Sequence, residues 1–306
     1  MGTKLLRSLH IGIAVGAVSL VARAGIGLVS LGAGAATVQA CSITSEDGGV
    51  LLKSQTKYTA SAPVTAQSMG TFNGEEIHIA NQNGDVVVNG DPNATNISVS
   101  TVPFAFADNQ ADGSAAIADV QTTIKIDQST SGVITVSCAS AVSNHGSAQN
   151  GNTGCDAFTV TVPAGTAQNP LKITAHALNG SLNATGLNMS DSAIGELHSD
   201  NGSVTVSVNG SVKADSPNGD VVATVVPNKG SSVDAESGNG NVTLSLPKDF
   251  SCDSLSLSAA APGAVSVDPG FTNQFTATST SVGTAGTGAS SIKAVTQNGS
   301  IELKPQ

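Results

Sequence analysis

From residue 76 to the C-terminus, apolar and polar positions alternate in short runs separated by turn-forming pairs. IHIA, DVVV and NISVS come first, then TTIKI, GVITVS and AFTVTVP, with Asn-Gly or Asp-Pro steps between several of them. Val, Ile and Thr dominate these runs, and branched side chains pack well on a pleated, half-buried surface. A period of two sends successive side chains to opposite faces, so each run predicts a strand with one buried side. The prediction is an all-β chain.

The turns repeat in phase with the strands. Seven Asn-Gly steps, at Asn83, Asn179, Asn201, Asn209, Asn218, Asn239 and Asn298, are each followed by apolar residues at the third and fifth positions after the Asn. The pairs are Val86/Val88, Leu182/Ala184, Val204/Val206, Val212/Ala214, Val221/Ala223, Val242/Leu244 and Ile301/Leu303. Asn and Gly tolerate the positive φ of a tight corner at low cost, which gives a local reason for the pair. Asn-Gly between alternating runs also signals a two-residue antiparallel hairpin, and the close steps from Asn201 to Asn209 and Asn218 suit an antiparallel meander or sandwich. The longer steps, from Asn179 to Asn201, Asn201 to Asn218 and Asn218 to Asn239, suit a β-solenoid like a parallel β-helix, built of short strands with Asn-Gly corners. Stacked coils place like corners above one another, so the solenoid explains why the motif keeps one phase. The repeat corners are Asn83-Gly84, Asn179-Gly180, Asn201-Gly202, Asn218-Gly219, Asn239-Gly240 and Asn298-Gly299.

The N-terminus has a different texture. Lys4 and Arg7 precede an apolar run from Ile11 to Ala22, and Gly/Ala-rich sequence continues to Ala40. A basic start, an apolar run and small residues are the marks of a secretory signal peptide, assigned here to residues 1–40, with Ala22-Arg23-Ala24 a second cleavage candidate. The same run could also be read as a retained membrane helix, with Arg23 near its middle. Val38-Gln39-Ala40-Cys41 resembles a bacterial lipobox, in which Cys41 would be the lipid anchor; Gln39 departs from the usual residue there. Acylation with more than two chains gives stable membrane attachment. Residues 41–70 then read as a tether, 71–165 as an N-terminal β region with a disulfide-closed hairpin, and 166–306 as the solenoid repeat region.

Export implies an oxidising compartment, in which the four cysteines would pair. Cys138 ends one strand-like run and Cys155 opens another across a Ser/Asn/Gly-rich loop, so a Cys138–Cys155 disulfide would close that loop. Cys252 is left over if Cys41 is lipidated; otherwise the two could join.

Charge narrows the function. Beyond residue 40, nine lysines and no arginine stand against all 22 acidic residues, a surface that repels phosphate backbones and excludes nucleic acid as a partner. No G-x-S-x-G, P-loop or dinucleotide glycine fingerprint is present, and no cofactor is expected. His78, His145, His176 and His198 stand singly, without the close spacing of a zinc motif, so neither a metal site nor a catalytic residue is expected from them. Asp85, Asp200, Asp220 and Asp234 near the corners could collect calcium only if stacked; an Asp at a turn more commonly accepts from a backbone N–H.

The stretch SAPVTAQSMGTFNGEEIHIANQNGDVVVNG, followed by VTVPAGTAQNPLKITAHALNGSLNATG and serial Asn-Gly units, resembles the DUF4097 β-strand repeat proteins, the "putative adhesin" family of bacteria. The resemblance spans residues 60–306 and implies an exported, anchored, non-enzymatic lipoprotein of the cell envelope with an adhesin-like or scaffold β-solenoid, outer-membrane-attached on the periplasmic or surface leaflet. Its partners would be the membrane, through the lipid anchor, and an envelope protein or surface glycan. The alternative is a polysaccharide hydrolase or lyase on a β-helix. Against it, the chain after residue 40 has no Arg, no Trp and only Tyr58, and adjacent Glu75 and Glu76 would point to opposite faces of a strand. A periplasmic domain serving a sensor is a third reading.

Overall fold

The structure is a computed structural model describing residues 39–306 apart from 47–48, 69, 141–143, 150, 249, 251, 253, 272–275, 278–280 and 286–289. Apart from Gln39 and Ala40, the expected signal peptide lies outside the described residues. Strands β1 (Gln39–Glu46), β2 (Gly49–Thr59) and β3 (Val64–Gln67) precede a first coil made of β4 (Glu76–Asn83) and β5 (Val86–Asp91). Strand β6 (Ser98–Ala107), helix α1 (Gln110–Thr123) and β7 (Lys125–Asp127) lead to a second coil, β8 (Val133–Cys138) and β9 (Thr153–Pro163). Four coils follow: β10 (Lys172–Asn179) with β11 (Leu182–Asn188), β12 (Gly195–Ser199) with β13 (Val204–Asn209), β14 (Val212–Ser216) with β15 (Val221–Val226), and β16 (Ser232–Ser237) with β17 (Val242–Leu246). The C-terminal part supplies β18 (Ser254–Ala259) with β19 (Val265–Val267), then β20 (Thr276–Ala277) and β21 (Ser281–Ala285), and last β22 (Ser291–Thr296) with β23 (Ile301–Pro305).

Each coil contributes one strand to each of two sheets. Sheet I runs β1-β2-β6-β9-β5-β11-β13-β15-β17-β23-β19, with β3 also on β6; sheet II runs β20-β21-β18-β22-β16-β14-β12-β10-β4-β8-β7. From β9 to β19 in sheet I, and from β8 to β18 in sheet II, neighbours are parallel. That pattern is the solenoid, and the meander is overturned. Antiparallel pairs occur where strands cover the parallel stack: β6, β2 and β1 beyond β9, β7 beyond β8, and β21 and β20 beyond β18. Such caps occupy edges that would otherwise pair with other chains.

The coils do not stack wholly in sequence order. Only β10 to β17 follow one another; the coil β8/β9 lies outside β4/β5, and the last coil, β22/β23, is inserted between β16/β17 and β18/β19. Pairing is decided by which strand matches an open edge, and nothing in a solenoid requires the next edge to be filled by the next residues.

The interior is a set of aliphatic columns. Phe158, Val86, Leu182, Val204, Val221, Val242 and Ile301 align across sheet I, all essentially inaccessible to solvent. Val136, Ile79, Ala175, Leu197, Ala214, Ala235 and Ala294 face them from sheet II. All the apolar pairs that follow the seven Asn-Gly steps are buried. Burying a Val or Leu side chain contributes roughly 1.5–3 kcal/mol, but a lone coil has only two thin faces, so the gain appears only when coils stack. The larger of two buried clusters runs from Ile77 to Leu303, and the smaller one, with Ala105, Ala116 and Ile117, lies under helix α1.

Two other expectations change. The stretch read as a tether is largely strand: β2 pairs with β6 through Thr56–Thr59, and β3 through Val64–Gln67. The alternation of LLKSQTKYT, set between Gly/Ser-rich neighbours, was too short to stand out without the edge of β6 to receive it. Helix α1 was not anticipated. Asn109 caps it by accepting from the N–H of Asp112 at 3.0 Å, and Gly113, Ala116, Ile117 and Val120 form its buried side. A Cβ on Gly113 would collide with the Tyr58 ring, so the helix sits directly on β2.

Cys138 and Cys155 are joined by a disulfide, but they do not close a hairpin. Cys138 ends β8 in sheet II and Cys155 lies in β9 of sheet I, so the bond crosses the interior of one coil at its corner. On chain-entropy grounds a crosslink of this span adds about 3 kcal/mol. Non-reducing peptide mapping is expected to link the two cysteines, and replacing both by Ser to lower unfolding stability by about that amount; free thiols at both positions would contradict the bond. Cys252, buried, precedes β18, whereas Cys41 lies in β1. From β1 to β17 is eight strand steps, roughly 38 Å at ~4.8 Å per step, far beyond disulfide reach. Cys41 and Cys252 therefore stand at distant places in the stack.

Candidate functional site: a histidine–aspartate cluster on the outer face

The corners between the sheets set the register of everything outside them. Each Asn side chain donates from Nδ2 to Oδ1 of the Asn one coil earlier: Asn179 to Asn83 at 2.8 Å, Asn201 to Asn179 at 3.0 Å, Asn218 to Asn201 at 3.3 Å, Asn239 to Asn218 at 3.1 Å and Asn298 to Asn239 at 2.9 Å. Beside this ladder, Ser199, Ser216, Ser237 and Thr296 donate their hydroxyls to the carbonyls of Gly180, Gly202, Gly219 and Gly240 at 2.6–2.8 Å. Asn209 is not part of it; it lies on the opposite edge and donates to Asn188.

The glycines are required for a reason other than the one expected. Among the corner glycines only Gly84 has a left-handed φ, +112°. At Gly180, Gly202, Gly219, Gly240 and Gly299 a Cβ would instead overlap the backbone carbonyl of the corner glycine one coil away. Close approach of stacked backbone excludes a side chain there.

This register brings two distant histidines together. His176 on β10 stands opposite His198 on β12, which stands opposite Asp215 on β14. All three point away from the core. Asp200, two residues beyond His198 at the start of the corner, bridges the imidazoles, with Oδ2 2.8 Å from His176 Nε2 and Oδ1 2.8 Å from His198 Nε2. His198 Nδ1 lies 2.5 Å from Asp215 Oδ2, and the two rings are 4.9 Å apart. A carboxylate oxygen lies on each ring nitrogen, an arrangement in which the imidazolium form of His198 can donate from both. Burial pulls its pKa down, but hydrogen bonds to Asp200 and Asp215, with their charges, outweigh burial and hold it above the ordinary value. Asp200 is held low by the hydrogen bond from His198, against some desolvation, with help from His176.

Further along the same face, Lys293 lies against Glu236 and 3.5 Å from Asp234. Burial, and then the charge of Glu236, raises the Asp234 pKa, while Lys293 offsets part of the rise. The hydrogen bond to Glu236 raises that of Lys293.

The other residues singled out in the sequence have local partners. His78 Nε2 is 2.6 Å from Glu76 Oε1, and His145 Nε2 is 2.8 Å from Asp119 Oδ2. Asp85 accepts from the N–H of Ser181 at 2.8 Å and Asp220 from that of Asn241 at 2.7 Å, each tying one coil to the next. Glu75 accepts from the N–H of Asn73. The reading of four isolated histidines is therefore corrected for one pair. The missed signal was available: His176, His198 and Asp215 each stand three residues before the Asn of a corner, so the coil repeat, and no short motif, aligns them.

Among the described residues no helix is long and apolar enough to cross a membrane. No family model and no curated protein matches the chain, so the likeness to DUF4097 rests on the short motifs alone. Among solved structures, the chain is similar to a "putative cell adhesion protein" from Clostridium sporogenes at 15% identity and a TM-score of 0.37, over 80% of this chain and 100% of that one. It is also similar to a "putative adhesin" from Bacteroides fragilis at 12% identity and a TM-score of 0.30, over 81% and 98%.

Proposed function

We propose that this chain is an exported, non-enzymatic protein of a bacterial cell envelope, anchored by lipid at Cys41, with the solenoid serving as an adhesin-like contact surface for an envelope protein or surface glycan. The observation that carries this reading is the outer face of sheet I. There Asn183, Thr205, Val222 and Thr243 align in one row, and Asn89, Thr185, Ser207 and Thr224 in the next. Hydroxyls and carboxamides repeated at the ~4.8 Å strand spacing, interrupted at Val222, offer many weak contacts to a repetitive partner, and their sum gives avidity without a deep pocket. The leader-like N-terminus, the Cys41 motif and the resemblance to the adhesin-like repeat family support the same reading.

Two measurements test it. Cys41→Ser is expected to move the protein from the membrane to the soluble fraction; unchanged partitioning would refute the anchor. Cells lacking the chain are expected to adhere less, and Thr205→Lys with Thr224→Lys to fail to restore adhesion despite native circular dichroism. Full adhesion in both strains would refute the contact role.

A further inference from the structure

We propose that His176, His198 and Asp200 form a binding site for a divalent transition-metal ion, Zn²⁺ being the best fit, with Asp215 as the residue that orients His198. The site is independent of the adhesin-like reading.

Three features point to a metal. First, one donor atom from each of His176, His198 and Asp200 lies within 4.8 Å of the others. Tetrahedral zinc, with bonds of ~2.0–2.1 Å, needs donor atoms separated by roughly 3.3–3.5 Å. The two 2.8 Å contacts of Asp200 must open slightly and the imidazoles close in, small rotations for side chains that are 26–43% exposed. Second, the donors are rigidly placed, since His176 and His198 project from strands paired in register and Asp200 follows at the corner fixed by the Asn ladder. Third, the support behind the donors is already built. Asp215 on His198 Nδ1 fixes that N–H, which leaves Nε2 as the lone-pair donor, and a carboxylate behind a ligating imidazole also raises its basicity.

Two imidazoles and one carboxylate suit zinc, copper or nickel, whereas calcium and magnesium prefer oxygen donors throughout. Because the cluster lies on an outer face, a fourth coordination position faces solvent and is open to water or an anionic group of a contacting molecule.

The full chain, purified without a polyhistidine tag and stripped with chelator, should be titrated calorimetrically with Zn²⁺ alone, and with Co²⁺ while visible absorption is followed. One equivalent is expected to bind, with a tetrahedral cobalt spectrum and no competition from excess Ca²⁺. His176→Ala is expected to weaken Zn²⁺ binding at least 100-fold, and Asp215→Asn by 10–100-fold, the effect usual for a supporting carboxylate. His78→Ala, outside the cluster, should leave it unchanged, and circular dichroism should show all variants folded. No uptake by the wild-type chain would show that the cluster is an imidazolium clamp only. Uptake unaltered in His176→Ala and in Asp215→Asn would place the metal elsewhere. Either result overturns the proposal.

Discussion

Gly202→Ala is expected to destabilise the protein by about 4 kcal/mol, although the glycine lies outside the left-handed region. Its Cβ would overlap the carbonyl of Gly180 and approach Ser181 N within 2.7 Å, all backbone atoms of the adjoining coil. The neighbour cannot yield by a rotamer change, so relief requires the two coils to part. Overpacking of this kind typically costs about 1–3 kcal/mol. Parting the coils also stretches the Asn201–Asn179 bond and the bond from Ser199 Oγ to the Gly180 carbonyl, each contributing about 0.5–1.5 kcal/mol. A fall in Tm of about 8 °C or more follows, on the scale usual for chains of this size. The control is Gly132→Ala, where φ is +77° and no atom lies within 4 Å of the added Cβ. Left-handed strain there costs about 1–2 kcal/mol. Equal Tm shifts for the two variants would mean that the stacked corners are looser than described.

Phe158→Ala should cost about 3–5 kcal/mol, as for other large-to-small changes at fully buried aromatic positions. Phe158 is the bulkiest residue of its column; the aligned positions from Val86 to Ile301 hold Val, Leu or Ile. It is inaccessible to solvent and lies in the coil behind β4/β5, where the parallel stack meets the antiparallel cap. The cavity would open at that junction, where β6 and β9 keep a shifted register between Ser100 and Val102 and cannot easily collapse around it. Denaturant unfolding should show a lower midpoint with an unchanged slope. Phe158→Leu should recover much of the loss. A midpoint within error of wild type for Phe158→Ala would mean that this coil contributes little to the cooperative unit.

Both predictions concern stacking, and stacking separates what could be read along the chain from what could not. The strands of the central coils, the inward residues and the alignment of six of the seven Asn-Gly corners follow from phase alone, because a parallel coil repeats its sequence wherever it repeats its geometry. Asn209 shows the limit: the same dipeptide with the same flanking pattern falls on the opposite edge. Helix α1 was missed because its buried residues are mostly small, and its hydrophobic side barely differs from its polar one. The histidine–aspartate cluster has no short-range spacing to mark it, because His176 and His198 are separated by one whole coil.

By itself the sequence determined an all-β chain with alternating faces, in-phase corners, and an acidic and aromatic-poor composition. Those properties depend on neighbours along the backbone: the two-residue pleat, the turn tendency of Asn-Gly and the composition of each run. Only the tertiary structure decided that the outer coils stack out of order, that Cys138 and Cys155 bridge two sheets, that Cys41 and Cys252 stand at distant places, and that two histidines meet over one aspartate. Edge pairing between strands is non-local. Many aliphatic strands could fill the same edge, and only competition among all of them, resolved by side-chain fit and hydrogen-bonded corners, selects the one that does.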